Sequence, residues 1–290
     1  MIMEFLRKAS RLLADKIYLA LKYKKNVGKW PNFKNPVTFN EKLQWLKLHD
    51  KNPEYVKMVD KHEAKKYVAS IIGEEYIIPE YGVWDRFEDI DFDALPEQFV
   101  LKTTHDCAGV VICRDKSTFD YESAKKFLNK HLANNYFYEG REWPYKNVKP
   151  RIIAEKFMED KLTNELRDYK IFTFGGEPKI LFVATERQSK TDETKFDFFD
   201  MDYNHLDIRN GHPNAAILPQ KPECFEEMKV LAEKLSQNIP HLRVDFYVVD
   251  GKIYFGELTF SHWSGFVKFE PRKWDETLGD WINLTDIKNK

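Results

Sequence analysis

Cysteine is sparse in this chain, with only Cys107, Cys113 and Cys224 among 290 residues. An odd set without a Cys-x-x-Cys pair excludes a disulfide framework and a structural zinc site. Cys107 sits close enough to His105 to suggest a nucleophile, although a small buried thiol is the simpler reading. Glycine is scarce too, at 12 residues, so each glycine beside a reactive-looking side chain carries weight. Excess charge of one sign is also missing. The 46 basic and 47 acidic residues give a net charge of −1, which removes any global electrostatic case for nucleic-acid binding. The phosphate-loop pattern GxxxxGK[ST] does not occur. No apolar run reaches the roughly 20 residues that a membrane span needs. The N-terminus lacks the small-residue cleavage site of a signal peptide, so we expect a cytoplasmic protein.

What is present is 42% hydrophobic and 32% charged, the balance of a soluble globular chain with one large or two intimate domains. The first segment reads as an amphipathic helix, with Phe5, Leu6, Leu12, Leu13, Ile17 and Leu21 near one face. Residues 1–25 hold seven basic side chains (Arg7, Lys8, Arg11, Lys16, Lys22, Lys24, Lys25) against Glu4 and Asp15. The helix either packs on the body with its basic face in water, or rests on the anionic inner face of a membrane.

Further along, Thr38 with Glu41 three residues later predicts a capped helix, and another helix is expected from about Lys61 to Gly73. Short strands are expected at Tyr76-Ile-Ile-Pro, Tyr81-Gly-Val-Trp and Phe99-Val-Leu-Lys, then a helix over Tyr121–Asn134. Arg151-Ile-Ile-Ala-Glu, Tyr169-Lys-Ile-Phe-Thr-Phe and Lys179-Ile-Leu-Phe-Val-Ala read as strands, and residues 186–215 as a long mobile loop. A helix over Cys224–Gln237 precedes a hairpin turning at Asp250-Gly251. The fold class is α+β with antiparallel hairpins.

Three segments could carry chemistry. In the hairpin, Arg243 and Asp245 project to one face, Glu257 and Thr259 share a face, and the turn could bring the two carboxylates together. Such hard oxygen donors suit magnesium, with Arg243 near a transferring phosphoryl group. The competing reading is a solvated face whose acids pair with arginine. The second segment, Val100-Leu-Lys-Thr-Thr-His-Asp-Cys-Ala-Gly, leaves a strand through Lys102 into a small, polar loop ending at Gly109, a shape that could cradle phosphate. His105-Asp106 is either an acid–base pair or a loop pair bonded to backbone. In the third, Glu155, Phe157 and Met158 could edge a flat base, while Asp168 and Lys170 alternate on one strand face or form a surface ion pair.

The order of these parts resembles the ATP-grasp superfamily. Thr38-Phe-Asn-Glu-Lys-Leu-Gln-Trp-Leu-Lys, Val100-Leu-Lys-Thr-Thr-His-Asp, Gly140-Arg-Glu-Trp-Pro-Tyr-Lys-Asn-Val-Lys-Pro-Arg and Tyr254-Phe-Gly-Glu-Leu-Thr-Phe are similar to its TupA-like branch. That branch is named for teichuronopeptide biosynthesis and is associated with cell-surface polysaccharides. The resemblance spans roughly residues 35–284. It implies a helical region over 1–60 and a grasp domain over 61–284, with a small lid at about 95–155 and a tail at 285–290.

It further implies ATP and Mg2+ as cofactors. Lys61 and Lys102 would contact phosphates under a loop including Thr103, Thr104 and Gly109. Glu155, Phe157 and Met158 would border the adenine, and Asp168 would meet the ribose. Asp245 and Glu257, with Thr259 where relatives often carry asparagine, would hold the metal, and Arg243, Lys102 and Lys170 would act in catalysis. The implied reaction joins a carboxylate, on a small molecule or glycan, to an amine through an acyl phosphate. Arg141, Arg187 and Lys195 are candidates for carboxylate recognition, or else ordinary surface charges. A glycosyltransferase and a non-catalytic nucleotide-binding module are the rival expectations.

Overall fold

The computed structural model describes residues 10–161, 163, 165–187 and 193–288. Helices come first: α1 (Asp15–Val27), α2 (Phe39–His49), α3 (Glu54–Val59) and α4 (Glu63–Ile72). The expected capping box opens α2, with the Thr38 hydroxyl accepting from the Glu41 amide and the Glu41 carboxylate reaching back. In α4, Ala64, Val68 and Ile72 recur every four residues and enter the main core.

Four strands then form a small antiparallel sheet in the order β1-β4-β2-β3. They are β1 (Glu80–Trp84), β2 (Phe99–Thr103), β3 (Val110–Cys113) and β4 (Ile152–Lys156). Phe99 and Leu101 of β2, with Ile152 and Ala154 of β4, bury one face of this sheet beneath α5 (Tyr121–Leu132). The period of two therefore turns Val100, Lys102 and Glu155 to the other face. The sheet takes in β1, upstream of the 95–155 lid expected from the sequence.

The second sheet has the order β10-β9-β5-β6-β7-β8. Its strands are β5 (Asp168–Phe174), β6 (Glu177–Thr185), β7 (Lys195–Asp200), β8 (His205–Leu206), β9 (Leu242–Val249) and β10 (Lys252–Thr259). Ile171, Val244, Phe246, Phe255 and Leu258 face the core shared with α4 and α6 (Phe225–Leu235). On the opposite face Phe172, Phe182 and Phe198 pack beneath α2 and α7 (Lys273–Trp281). That second core covers only part of its face. Asp168, Lys170, Asp245 and Tyr247 continue the same face beyond it.

Three expectations need correction. Residues 76–79 are not a strand: Tyr76 ends a 3-10 turn over Glu74–Tyr76, and residues 77–79 are an irregular link to β1. The expected loop at 186–215 contains the strands β7 and β8, since Phe196, Phe198 and Phe199 are buried; residues 188–192 lie outside the described residues. Finally, α1 docks through Leu19 and Tyr23, which pack with Phe266, Phe33 and Leu48, and not through the face containing Ile17 and Leu21. Residues 1–9 of that expected helix, including Phe5 and Leu6, lie outside the described residues.

Candidate active site

The cleft between the two sheets encloses about 340 Å³, within the range of small-molecule sites. Six cationic side chains (Lys61, Lys65, Lys102, Lys156, Lys170, Arg187) and three carboxylates (Glu155, Asp168, Glu257) line it, a formal surplus of three positive charges. Apolar side chains such as Val100, Ile112, Phe157 and Met158 complete the wall. A polyanion carrying a flat ring suits this composition.

The carboxylate at the end of the cleft is aimed by a register change. Regular pairing from the Asp250-Gly251 turn would set residue 256 opposite Asp245 and turn Glu257 into the core beside Phe255. Instead a bulge between Phe255 and Glu257 pairs Glu257 with Asp245 and Thr259 with Arg243. The extra residue is Gly256, where a Cβ would lie 3.0 Å from the Asp245 carbonyl oxygen. A side chain there would press on the β9 backbone, and glycine avoids that contact.

Arg243 is the hub of this face. Its Nε and Nη2 donate to the two Asp245 oxygens at 2.7 Å each. Nη2 also faces Glu257 Oε1 at 2.7 Å and Thr259 Oγ1 at 3.0 Å. Nη1 lies 2.8 Å from His262 Nδ1, and His262 Nε2 lies 2.7 Å from Asn210 Oδ1. Because guanidinium can only donate, Nδ1 accepts and the imidazole proton sits on Nε2, directed at Asn210. Burial and the adjacent Arg243 push His262 well below the ordinary histidine range, so it stays neutral. Burial also opposes the charge of Arg243, but Asp245 and Glu257 outweigh it and raise its pKa. Burial would lift Glu257, yet Arg243, Lys170 and Lys61 hold it down to about 2. Lys170 donates to Asp245 and lies 3.5 Å from Asp168, while burial lowers its own pKa.

Magnesium chemistry can be tested against these donors. Among the described residues no group of three or more His, Cys, Asp or Glu side chains gathers around one point. Both Asp245 oxygens face the Arg243 fork, whereas the Glu257 side chain is 37% exposed in the cleft. The donor set is hard oxygen throughout, and it fits a magnesium ion that takes Glu257 and fills its remaining positions with phosphate and water.

At the lid, Glu155 is buried between Lys102 at 2.5 Å and Lys65 at 2.7 Å. Burial alone would raise its pKa, but the two lysines hold it at about 2. The carboxylate thus fixes two ammonium groups toward the cleft. The sequence reading placed Glu155 at the base edge and missed Lys65, in the first turn of α4 and four residues after Lys61. Phe157 and Met158 follow β4 along the same wall.

This ion triad predicts acid sensitivity. A carboxyl depressed from 4.5 to about 2 stabilises the fold fully above 4.5, and the contribution is lost as pH falls through about 2. In denaturant titrations from pH 7 to pH 2 we expect Glu155→Gln to abolish about 2–3 kcal/mol of the wild type's acid-dependent loss. Parallel wild-type and variant curves would contradict this.

The loop of residues 103–109 braces itself from within. Asp106 accepts from Thr103 Oγ1 at 2.5 Å and from the Gly109 amide at 3.0 Å, and it pairs with His131 Nδ1 at 2.5 Å. Lys61 donates to its carbonyl. A Cβ on Gly109 would fall 1.9 Å from Thr103 Oγ1, so the loop closes only on glycine. Thr103 and Thr104 are fully buried, with the Thr104 hydroxyl 3.1 Å from the Lys149 carbonyl, and they shape the loop instead of lining the cleft. His105 bonds backbone oxygens at positions 131 and 134, as the bland reading held, while Asp106 takes His131 and not His105 as partner. Cys107 is the loop side chain that reaches the cleft, and it is exposed, contrary to the buried thiol expected.

Asp168 is 1% exposed and pairs with Arg187 and Lys170, yet among the described residues neither oxygen has a hydrogen-bond partner of good geometry. A ligand hydroxyl would satisfy it. Of the three carboxylate-recognition candidates, only Arg187 lines the cleft. Lys195 begins β7 opposite Thr185. Arg141 is 2% exposed, stacks on Tyr18 at 4.5 Å and donates to the Ser10 carbonyl, so it anchors the N-terminal segment and is neither a surface charge nor part of the cleft.

The family model described as TupA-like ATP-grasp matches residues 41–283. No curated protein sequence matches the chain. Among solved structures, a D-alanine–D-alanine ligase from Bacillus anthracis shares 16% identity and a TM-score of 0.45, covering 87% of this chain and 71% of its own. The ATP complex of that ligase gives 17% and 0.42, covering 70% and 55%. An L-amino acid ligase from Bacillus licheniformis gives 12% and 0.47, covering 84% and 55%. The chain thus spans little more than half the length of two of these structures.

Proposed function

Because this chain belongs to the TupA-like ATP-grasp family, we propose that it is an ATP-dependent carboxylate–amine ligase working through an acyl phosphate. The observation that carries the reading is the cleft itself, where lysines from both sheets share the lining with Glu257, which Arg243 and Asp245 back from within. The base lies against Phe157 and Met158, Asp168 accepts from the ribose hydroxyls, and Lys61, Lys65 and Lys102 meet the phosphates. Lys170 faces the γ-phosphoryl group. Arg243 holds Glu257 in place, and Glu257 would hold magnesium, with Asp245 and Thr259 on the same face. When bound, the ion supplies charge neutralisation at the transferring phosphoryl oxygens.

The acceptor carboxylate oxygen bonds the γ-phosphorus and ADP departs. An amine lone pair then attacks the acyl carbon, phosphate leaves, and the ammonium proton passes to solvent. No protein nucleophile is required. The family's naming points to a glycan carboxylate or an amino acid in cell-surface polysaccharide synthesis, carried out in the cytoplasm where ATP is available.

Calorimetry with ATP, with and without magnesium, tests the nucleotide assignment. Lys102→Ala is expected to weaken ATP by about 10–100-fold, the scale of one charged hydrogen bond. Unchanged affinity in the variant, or binding of a UDP-sugar in place of ATP, would remove the ligase reading.

A further inference from the structure

Helix α1 has two apolar faces, and only one of them is used. Leu19 and Tyr23 are fully buried against the body. On the opposite side Ile17 and Leu21 are 54% and 49% exposed, and in the turn preceding the helix Leu12 and Leu13 are 90% and 39% exposed. Ile17 and Leu21 are spaced by four, so they drift only about 40° and stay on one side of the helix, with Leu12 and Leu13 exposed just before its N-terminus.

Lys24 falls in line with this row, and Lys16 and Lys25 flank it; all three are exposed. Among residues 10–27 the only acid is Asp15, which Arg141 engages at 3.1 Å. The rim of the stripe is therefore basic.

The stripe is held outward. Tyr18 donates to the Glu139 carbonyl at 2.9 Å, and Lys22 donates to the same oxygen. Arg141 stacks on Tyr18 and bonds the chain at Ser10. These contacts fix the helix by one face and leave it no rotation that would hide the other. A contiguous apolar row with a charged rim marks an interaction surface. A convex single row offers no pocket for a protein partner's anchor residue, whereas leucine and isoleucine between lysines match the acyl boundary and headgroups of an anionic bilayer.

We infer that α1 and the turn before it form a peripheral docking element that lays Ile17 and Leu21, with Leu13 ahead of them, into an anionic lipid surface, with Lys16, Lys24 and Lys25 among the headgroups. The cleft and the proposed ligase chemistry are separate from this surface. No helix among the described residues is long and apolar enough to cross a membrane, so the contact is interfacial.

Co-sedimentation of the full chain tests it, using phosphatidylcholine vesicles with and without about one-third phosphatidylserine. Binding to the anionic vesicles alone is expected, falling with salt. The double substitution Ile17→Glu/Leu21→Glu should lower it at least about tenfold, and Lys24→Glu/Lys25→Glu about as much. All four positions are exposed, so melting temperature and ATP affinity should match wild type. Failure to bind anionic vesicles, or binding indifferent to Ile17→Glu/Leu21→Glu, would overturn the inference. A concentration-dependent dimer abolished by the same double substitution would overturn it too, assigning the stripe to a second copy.

Discussion

Arg243→Ala is expected to destabilise the protein by about 3–5 kcal/mol, the cost of removing one partner from a buried ion network. Arg243 is only 7% exposed, and its guanidinium meets both Asp245 oxygens, Glu257, Thr259 and His262. Without it, Asp245 is left with Lys170 alone, Glu257 loses its strongest counter-charge, and His262 Nδ1 faces a cavity. Removing the long side chain adds the loss of its packing. Arg243→Lys should recover little, since an ammonium cannot span the two Asp245 oxygens and His262 together. Denaturant unfolding at neutral pH measures the effect. The network account also predicts that adding Asp245→Asn to Arg243→Ala restores part of the loss, because the uncompensated charge goes with it. Additive destabilisation in that double variant would mean the arginine acts through packing and not through charge.

Why some of this was legible in the sequence and some was not follows from the range of the interactions. The face of β9 was readable because Arg243, Asp245 and Tyr247 alternate with Val244 and Phe246, and a strand's period is local. The meeting of Asp245 with Glu257 was anticipated, but simple pairing from the turn would have failed to produce it. The single glycine at 256 supplies the missing half-step. His262, Asn210 and Lys65 gave no local sign, because each is defined by a partner more than ten residues away. β7 was hidden by its own aspartates. Asp197 is fully buried and accepts from the Ala215 amide, so a residue that reads as loop is satisfied inside a strand. In α1 the apolar row legible in the sequence is not the one that packs, because the partners of the buried face, Phe266 for Leu19 and Tyr23 and Glu139 for Tyr18 and Lys22, lie more than a hundred residues along the chain. Thr103 and Thr104 misled in the opposite direction, for small polar residues serve a phosphate loop equally well by lining it or by bracing it from behind.

Glu257→Gln separates the metal role from the structural one, and we expect it to reduce ADP release by about 10²–10³-fold, the scale of losing one electrostatic element of a transition state. The fold should survive. The amide oxygen of glutamine can still accept from Arg243 Nη2 and Thr259 Oγ1, and the side chain sits partly open to the cleft. The consequence for binding has a definite sign. In wild type, magnesium should tighten ATP, because Glu257 is ionised far below neutral pH and repels bare phosphates until a cation lies between them. In the variant that repulsion is absent. ATP without magnesium should bind at least as well as to wild type, and the gain on adding magnesium should largely vanish. Asp245→Asn is the instructive contrast. Its oxygens face Arg243 and Lys170, so its replacement should cost stability first and leave most of the magnesium dependence in place. If the two variants exchanged these behaviours, Asp245 would be the carboxylate that faces the ion and the Arg243 fork would have to open on nucleotide binding.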